Sequence, residues 1–293
     1  MSKFDTVVAN AATTSAPVVL ITGCSSGIGL ATALAAAAAG WTCVATLRNP
    51  SANTALKSAA QQTGVSLDIR ALDVTDASSI RGCVDGVLAE HGRLDAVINN
   101  AGAAHVGTIE TDGLAVVRAT LEVNFFGVVA LTQATLPSLR ASRGRLITVS
   151  SVGGVIGQPF NEAYCAAKFA VEGFMESLAP VAASTGVGVA VVEPGAVASD
   201  FVSNAGLDPE AMVSQAGAYS PALAAYLERT TSQFTTAAQP AAEVAQVIVD
   251  LLTANPMPFR VQTSDWARQF VASKLSDLDG SAVQTMTAGW VAS

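Results

Sequence analysis

Charge is scarce in this chain of 293 residues. Asp, Glu, Lys and Arg together make up 13% of it, about half the usual share in soluble domains, and none lies between Asp5 and Arg48. Cations are the scarcer sign, and the net charge of −8 argues against a general nucleic-acid binder, because phosphates must be neutralised by Lys and Arg. Histidine occurs only as His91 and His105, and the four cysteines, Cys24, Cys43, Cys83 and Cys165, form no C-x-x-C pair. Structural zinc needs four suitably spaced ligands of these types, so no metal site is expected. Scattered thiols without a secretory signal fit a reducing, cytoplasmic compartment, and each reads as a small buried residue.

Long apolar runs are also missing. The charge-free stretch from Thr6 to Leu47 is broken by Pro17, Gly23, Gly27, Gly29 and Gly40, and its uninterrupted helical piece runs only from Leu30 to Ala39. That is half of what a membrane span requires, and Val18-Val19-Leu20-Ile21 is too short for a signal-peptide core. Residues 1–15 read as a flexible leader. What the chain does have is apolar bulk: 51% of it is hydrophobic, which excludes a disordered, self-repelling polymer.

Short β-branched runs alternate with longer helical patterns. Strands are predicted at Val18–Thr22, Thr42–Leu47, 66–72, 94–98, 144–150 and 187–193, with a last short one near 259–262. Helices are predicted at Gly27–Ala39, 52–63, 76–91, 112–137, 161–185 and 240–254. This β-α order predicts one doubly wound α/β domain over 16–293, a parallel sheet covered by helices on both faces. Continuously apolar strands such as Val189-Ala190-Val191-Val192 fit a sheet buried on both sides. Residues 199–238, rich in Ala, Ser and Thr, read as a lid, and the final 30 residues as weakly ordered helix.

Thr22-Gly23-Cys24-Ser25-Ser26-Gly27-Ile28-Gly29 joins the first strand to the first helix. Glycines there permit a tight turn and let a pyrophosphate approach backbone N–H groups at a helix N-terminus. Gly23-x-Ser25-x-Gly27 also fits a hydrolase nucleophile elbow. That reading needs a later acid and His base, with only two histidines on offer. The second strand ends at Leu47-Arg48, where an NAD site would carry an acidic residue for the ribose 2′-hydroxyl; Arg48 instead suits a 2′-phosphate.

Further motifs follow in order: Asn99-Asn100-Ala101-Gly102, Asn124-Phe125-Phe126-Gly127, Ser150-Ser151, Tyr164-Cys165-Ala166-Ala167-Lys168 and Pro194-Gly195. With the glycine loop, they make residues 18 to about 200 resemble the short-chain dehydrogenase/reductase superfamily, and its hydroxysteroid and retinol dehydrogenase branch in particular. The resemblance implies a Rossmann-type seven-stranded sheet in the order 3-2-1-4-5-6-7 and an oxidoreductase transferring a hydride between NADP(H) and a carbonyl or alcohol. A non-catalytic NADP-binding sensor would share the fold.

From the side chains, Tyr164 is a poor base at neutral pH. Lys168, four residues on, shares its helix face, and an ammonium beside a phenol is expected to lower its pKa. The resemblance assigns proton transfer to Tyr164, polarisation of the substrate oxygen to Ser151, ribose contact to Lys168 and a water relay to Asn124. It also implies cofactor contacts from Gly23, Ser25, Ser26, Gly27, Ile28, Gly29, Arg48, Asp73, Val74, Asn100, Ala101, Gly102, Pro194, Gly195, Val197 and Ser199. Val152, Val155, Phe160, His105, Met212, Tyr219, Leu223 and Tyr226 are expected to wall an apolar substrate pocket. Subunit pairing through helices 112–137 and 161–185 would give a homodimer or homotetramer. If Arg48 reads the 2′-phosphate, the chain prefers NADPH to NADH, and Leu47→Asp/Arg48→Ala reverses that preference in steady-state assays; a variant that still prefers NADPH would refute the assignment.

Overall fold

The computed structural model of the protein describes residues 16–51, 54–199, 208–279 and 281–290. The expected leader, 1–15, and part of the expected lid, 200–207, lie outside these residues. Seven parallel strands form the main sheet: β1 (Val18–Ile21), β2 (Thr42–Leu47), β3 (Asp68–Ala71), β4 (Ala96–Asn99), β5 (Arg145–Val149), β6 (Gly188–Glu193) and, at the far edge, β9 (Arg260–Gln262). Their order is β3-β2-β1-β4-β5-β6-β9, as expected from the sequence. Val19 pairs with both Cys43 of β2 and Ala96 of β4. The chain winds outward from β1 and then returns to β4 beside it, which leaves a crevice at the carboxyl ends of these two strands, where such sheets bind ligands.

Side chains of β1 alternate between two buried layers. Val19 and Ile21 pack with Ala33 and Ala36 of α1 (Gly27–Ala38) and with Val244 and Ile248 of α9 (Ala241–Leu251). Val18 and Leu20 pack on the other face with Val84 and Val87 of α3 (Ala77–His91), Leu131 and Leu139 of α5 (Gly127–Ser142), and Val171 and Met175 of α6 (Glu162–Ala183). Burial on both faces explains the missing charges. The alanines of α1 add close packing, since Ala33 and Ala36 are fully buried and carry nothing beyond Cβ to hold the helix off the sheet.

The expected helix 112–137 is more complex. α4 (Ile109–Leu121) starts three residues earlier, because Thr108 caps it by accepting a hydrogen bond from the Thr111 N–H, and Gly113 kinks it with a left-handed φ of 68°. A π turn, Glu122–Phe126, then leads into α5. By length and composition the run Ile109–Ser142 could cross a membrane. Here its α5 part lies against the sheet, with Leu131, Thr132, Thr135 and Leu139 buried.

Two short strands clamp the segment expected to form a lid. β7 (Val197–Ala198) pairs with β8 (Gln239–Pro240), and the Gln239 side chain exchanges hydrogen bonds with Thr263. Within that segment lie α7 (Pro209–Gln215) and α8 (Ser220–Ala237), with α2 (Ala55–Thr63) elsewhere beside the sheet. The chain's end departs from expectation. α10 (Asp265–Leu275) and α11 (Ser281–Ala288) follow, and Ala267, Phe270 and Val271 are buried against Val152, Val155 and Ile156.

The turn after β1 is tied to the end of β4. Asn100 Nδ2 donates to the carbonyls of Thr22 (2.8 Å) and Gly23 (3.2 Å), and the Thr22 hydroxyl accepts from the N–H groups of Asn100 and Ala101. Asn100→Ala strands two carbonyls and is expected to cost about 1–3 kcal/mol, read as a lower thermal midpoint together with several-fold weaker dinucleotide binding; unchanged values would show that the tie is dispensable.

Candidate active site

Ser26 stands at the N-cap of α1 in extended geometry, and the first-turn N–H groups of a helix have no acceptor within it. Gly23 and Gly27 hold left-handed φ values of 72° and 55°. A Cβ on Gly29 would overlap the Gly23 carbonyl oxygen and Asn100 Nδ2, and one on Gly27 would stand 3.0 Å from Ser199 Cβ. The loop thus packs backbone on backbone at the N-terminus of α1, with Ser199 at its side. This cradle fits a pyrophosphate. Leu47 is buried, and Arg48 projects exposed from the end of β2. The Asp73 carboxylate accepts from the Thr75 N–H and hydroxyl, and Val74 packs where a Cβ on Gly127 would fall. Asn100 and Ala101 act on the loop itself, an anchoring role not foreseen from the motif. Gly102 beside them is exposed.

The hydrolase alternative finds no base. His91 Nε2 pairs with Asp68 at the start of β3, and His105 Nε2 pairs with Asp112 at 2.7 Å. All four cysteines are buried and free, and burial pushes the Cys24 thiol up to about 12, which keeps it unreactive.

Ser151, at the carboxyl end of β5, caps a 3-10 turn at Val152–Gly154 by accepting from the Gly153 N–H. Its hydroxyl lies near enough to Tyr164 to favour the phenolate. Tyr164 and Lys168 stand on successive turns of α6 with the ammonium 5.8 Å from the phenol ring centroid. Lys168 Nζ donates to the Val149 carbonyl at 3.0 Å. The expected lowering of the phenol pKa does not occur here. Burial pushes Tyr164 up to about 12, opposed by the nearby Ser151 hydroxyl, and burial brings Lys168 down to about 8. Loss of water disfavours both charged forms and outweighs their mutual attraction.

Asn124, expected to hold a relay water, is fully buried in the π turn. Its amide donates to the carbonyls of Ala103 and Thr120 and accepts from the Ala103 N–H. It thereby staples the segment after Gly102 to the helix layer.

The expected pocket walls fall into two groups. Phe160, Leu223 and Tyr226 form a buried cluster, with Met212 and Val106 packed on it. Phe160 adopts a left-handed φ of 60°, its carbonyl accepts from the Gly107 N–H, and Asn161 Nδ2 donates to the Tyr226 hydroxyl at 2.6 Å. Val152 and Val155 belong instead to the contact with α10, because the 3-10 turn aims them there. Tyr219 is 41% exposed and stands apart from both. Pro194 accepts from the Val152 N–H, Val197 is buried, and Gly195 gives room to the Trp266 ring, 2.9 Å from where a Cβ would stand. Trp266, Phe270 and Trp290 stack in series, an aromatic end wall with no motif to announce it.

A family model described as short chain dehydrogenase matches residues 17–210. Retinol dehydrogenase 8 of Bos taurus is 36% identical over 278 residues, covering 90% of this chain and 86% of its own. The human 17-beta-hydroxysteroid dehydrogenase type 1 is 36% identical over 272 residues, covering 90% and 82%. A short-chain dehydrogenase structure from Streptomyces avermitilis superposes with a TM-score of 0.75 at 30% identity, covering 94% of this chain and 98% of that one.

If Asn124 acts as a staple, Asn124→Ala lowers the urea midpoint by the equivalent of about 2 kcal/mol. A variant of unchanged stability that lost only turnover would show a relay role instead.

Proposed function

Because this chain belongs to the short-chain dehydrogenase family, in the branch of hydroxysteroid and retinol dehydrogenases, we propose that it is an NADP(H)-dependent ketoreductase acting on an apolar ketone or the matching secondary alcohol. The observation that carries this reading is the placement of Tyr164 beside Ser151, whose hydroxyl favours the phenolate, and Lys168, whose ammonium lies 5.8 Å from the phenol ring centroid. The glycine loop and helix N-terminus would hold the pyrophosphate, Arg48 the 2′-phosphate, and Lys168 the nicotinamide ribose. When bound, the reduced nicotinamide supplies the hydride.

The residues of the chain supply the rest. A carbonyl oxygen placed between Ser151 and Tyr164 accepts two hydrogen bonds, which stabilise the negative charge that grows on it. Tyr164 then gives its proton to that oxygen. A phenol pushed up to about 12 keeps its proton at neutral pH, yet an alkoxide is more basic than phenolate, so the transfer runs forward. The Lys168 ammonium stabilises the phenolate left behind until solvent reprotonates it.

The Phe160, Leu223 and Tyr226 cluster with its clamped helical segment supports an apolar substrate and a lid role for 199–238. Exposed Ile109, Leu114 and Phe126, with Phe169 and Val181 of α6, support a homodimer or homotetramer. The free buried thiols support a cytoplasmic setting.

NADPH consumption is expected with apolar ketones and not with small charged acids. Tyr164→Phe is expected to lose about 100-fold or more in kcat while still binding the dinucleotide. A chain that binds NADPH but reduces no carbonyl would favour the sensor reading, and near-normal turnover by Tyr164→Phe would exclude the proposed proton donor.

A further inference from the structure

Lys168 is 5% exposed, and its nitrogen makes one hydrogen bond, to a main-chain carbonyl. A buried amine with no countercharge sheds its proton, because the neutral form loses less on leaving water. The reaction proposed above needs the opposite, since only an ammonium can stabilise a phenolate. The countercharge stands one turn further along α6. Glu172 is also 5% exposed, lies at i+4 from Lys168, and is the single charged group that raises the lysine's pKa.

Glu172 is itself held in place from three sides. From β9, Arg260 reaches its Oε2 with both Nη2 (3.2 Å) and Nε (3.4 Å). From the end of β5, the Ser150 hydroxyl lies beside it and favours its ionised form. From the turn after Ser151, Gly154 closes over it so tightly that a Cβ there would stand 2.6 Å from Ser150 Oγ and 3.0 Å from Glu172 Cγ. Arg260 also pairs with Glu193 at the end of β6 (2.7 Å) and with Glu176 on α6 (3.2 Å), and Gln262 donates to Glu193. Two cations and two buried carboxylates therefore alternate across three elements, from the Tyr164 ring to the β9 edge.

We propose that Glu172 is a positioning residue that keeps the Lys168 amine protonated, and that Arg260 keeps Glu172 ionised in turn. Resting on the oxidoreductase reading, this gives the reaction a charge chain running away from the substrate, on the side of the sheet opposite the exposed cofactor edge at β2. The groups facing it are Lys168 and Glu176 on α6, Arg260 on β9, Glu193 on β6 and Ser150 after β5. Burial raises the Glu172 pKa while Ser150, Arg260 and Lys168 lower it, so losing Arg260 moves it toward the neutral acid, which no longer supports the lysine.

The chain contains only four lysines, Lys3, Lys57, Lys168 and Lys274, so the charge of Lys168 can be read directly by NMR of lysine labelled with nitrogen-15, with Lys168→Met identifying its signal. In the cofactor-free protein the Lys168 signal is expected to titrate near about 8. Glu172→Gln is expected to lower that midpoint by about one unit or more, and Arg260→Gln to lower it by less. The alkaline limb of carbonyl reduction moves to lower pH by the same amounts. Should Glu172→Gln fail to fold, Arg260→Gln and Glu172→Asp decide the matter by the same titration. A folded Glu172→Gln or Arg260→Gln protein whose Lys168 midpoint stays at the wild-type value overturns the proposal. The titration does not depend on turnover, so an inactive wild-type chain would refute the oxidoreductase reading while leaving the role of Glu172 to be decided by the midpoint.

Discussion

The proposed reaction asks two groups to handle a proton, Tyr164 and Lys168, and both lie inside the protein, where burial opposes the charge of each. This constraint organises the site. Phenol and amine move in opposite directions, up to about 12 and down to about 8, so the resting pair is a neutral phenol beside an amine that is still mostly protonated at neutral pH. A neutral phenol is the form that can donate. What remains is to supply the negative charge that arises after donation with a cation, and to stop that cation from discharging in its dry setting. In the proposed reaction Lys168 meets the first need, and Glu172 with Arg260 meets the second. The cluster is costly to bury, and removal of one member leaves an uncompensated charge. That is why the groups alternate in sign and why Gly154, which leaves no room for a side chain, seals them.

The same scarcity of polar groups shapes the rest of the molecule. β1 is buried on both faces, and α1 approaches it through alanines, so the loop between them is held by main-chain contacts and by Asn100 rather than by salt bridges. Such a loop presents N–H groups in a rigid array at the crevice between β1 and β4. At the opposite edge of the site, Trp266, Phe270 and Trp290 bring the chain's last helices against the turn that carries Ser151. In the proposed reading, the cofactor end of the crevice is built from backbone and the substrate end from aromatic and aliphatic side chains.

The order of elements and the seven-stranded sheet are legible in the sequence because period and composition change sharply at each boundary. The boundaries that shift have local causes invisible to periodicity: the Thr108 cap, the Gly113 kink and the π turn around Asn124. The positions of the motif residues in the fold are legible because each occupies a strand end or a helix turn. Their interactions were less so. The i+4 spacing of Tyr164 and Lys168 shows that they share a face but not how much water each loses, and so the direction of the Tyr164 shift was misjudged. Glu172, at a further i+4, was there to be read, yet without Arg260 from 88 residues on it looks like an ordinary surface acid. Trp266 and Phe270 were hidden by a polar, alanine-rich context that resembles a loose terminus.

The central claim is that this site moves a hydride to a carbonyl carbon while Tyr164 protonates the oxygen. Incubating the protein with an apolar ketone and NADPH deuterated on both positions of C4, then locating the label in the alcohol, tests it most directly. The account places deuterium on the carbon that bears the new hydroxyl, in wild-type product at one atom per molecule, with formation strongly suppressed in Tyr164→Phe. Alcohol formed without deuterium at that carbon, or no alcohol from any ketone despite bound NADPH, would contradict it.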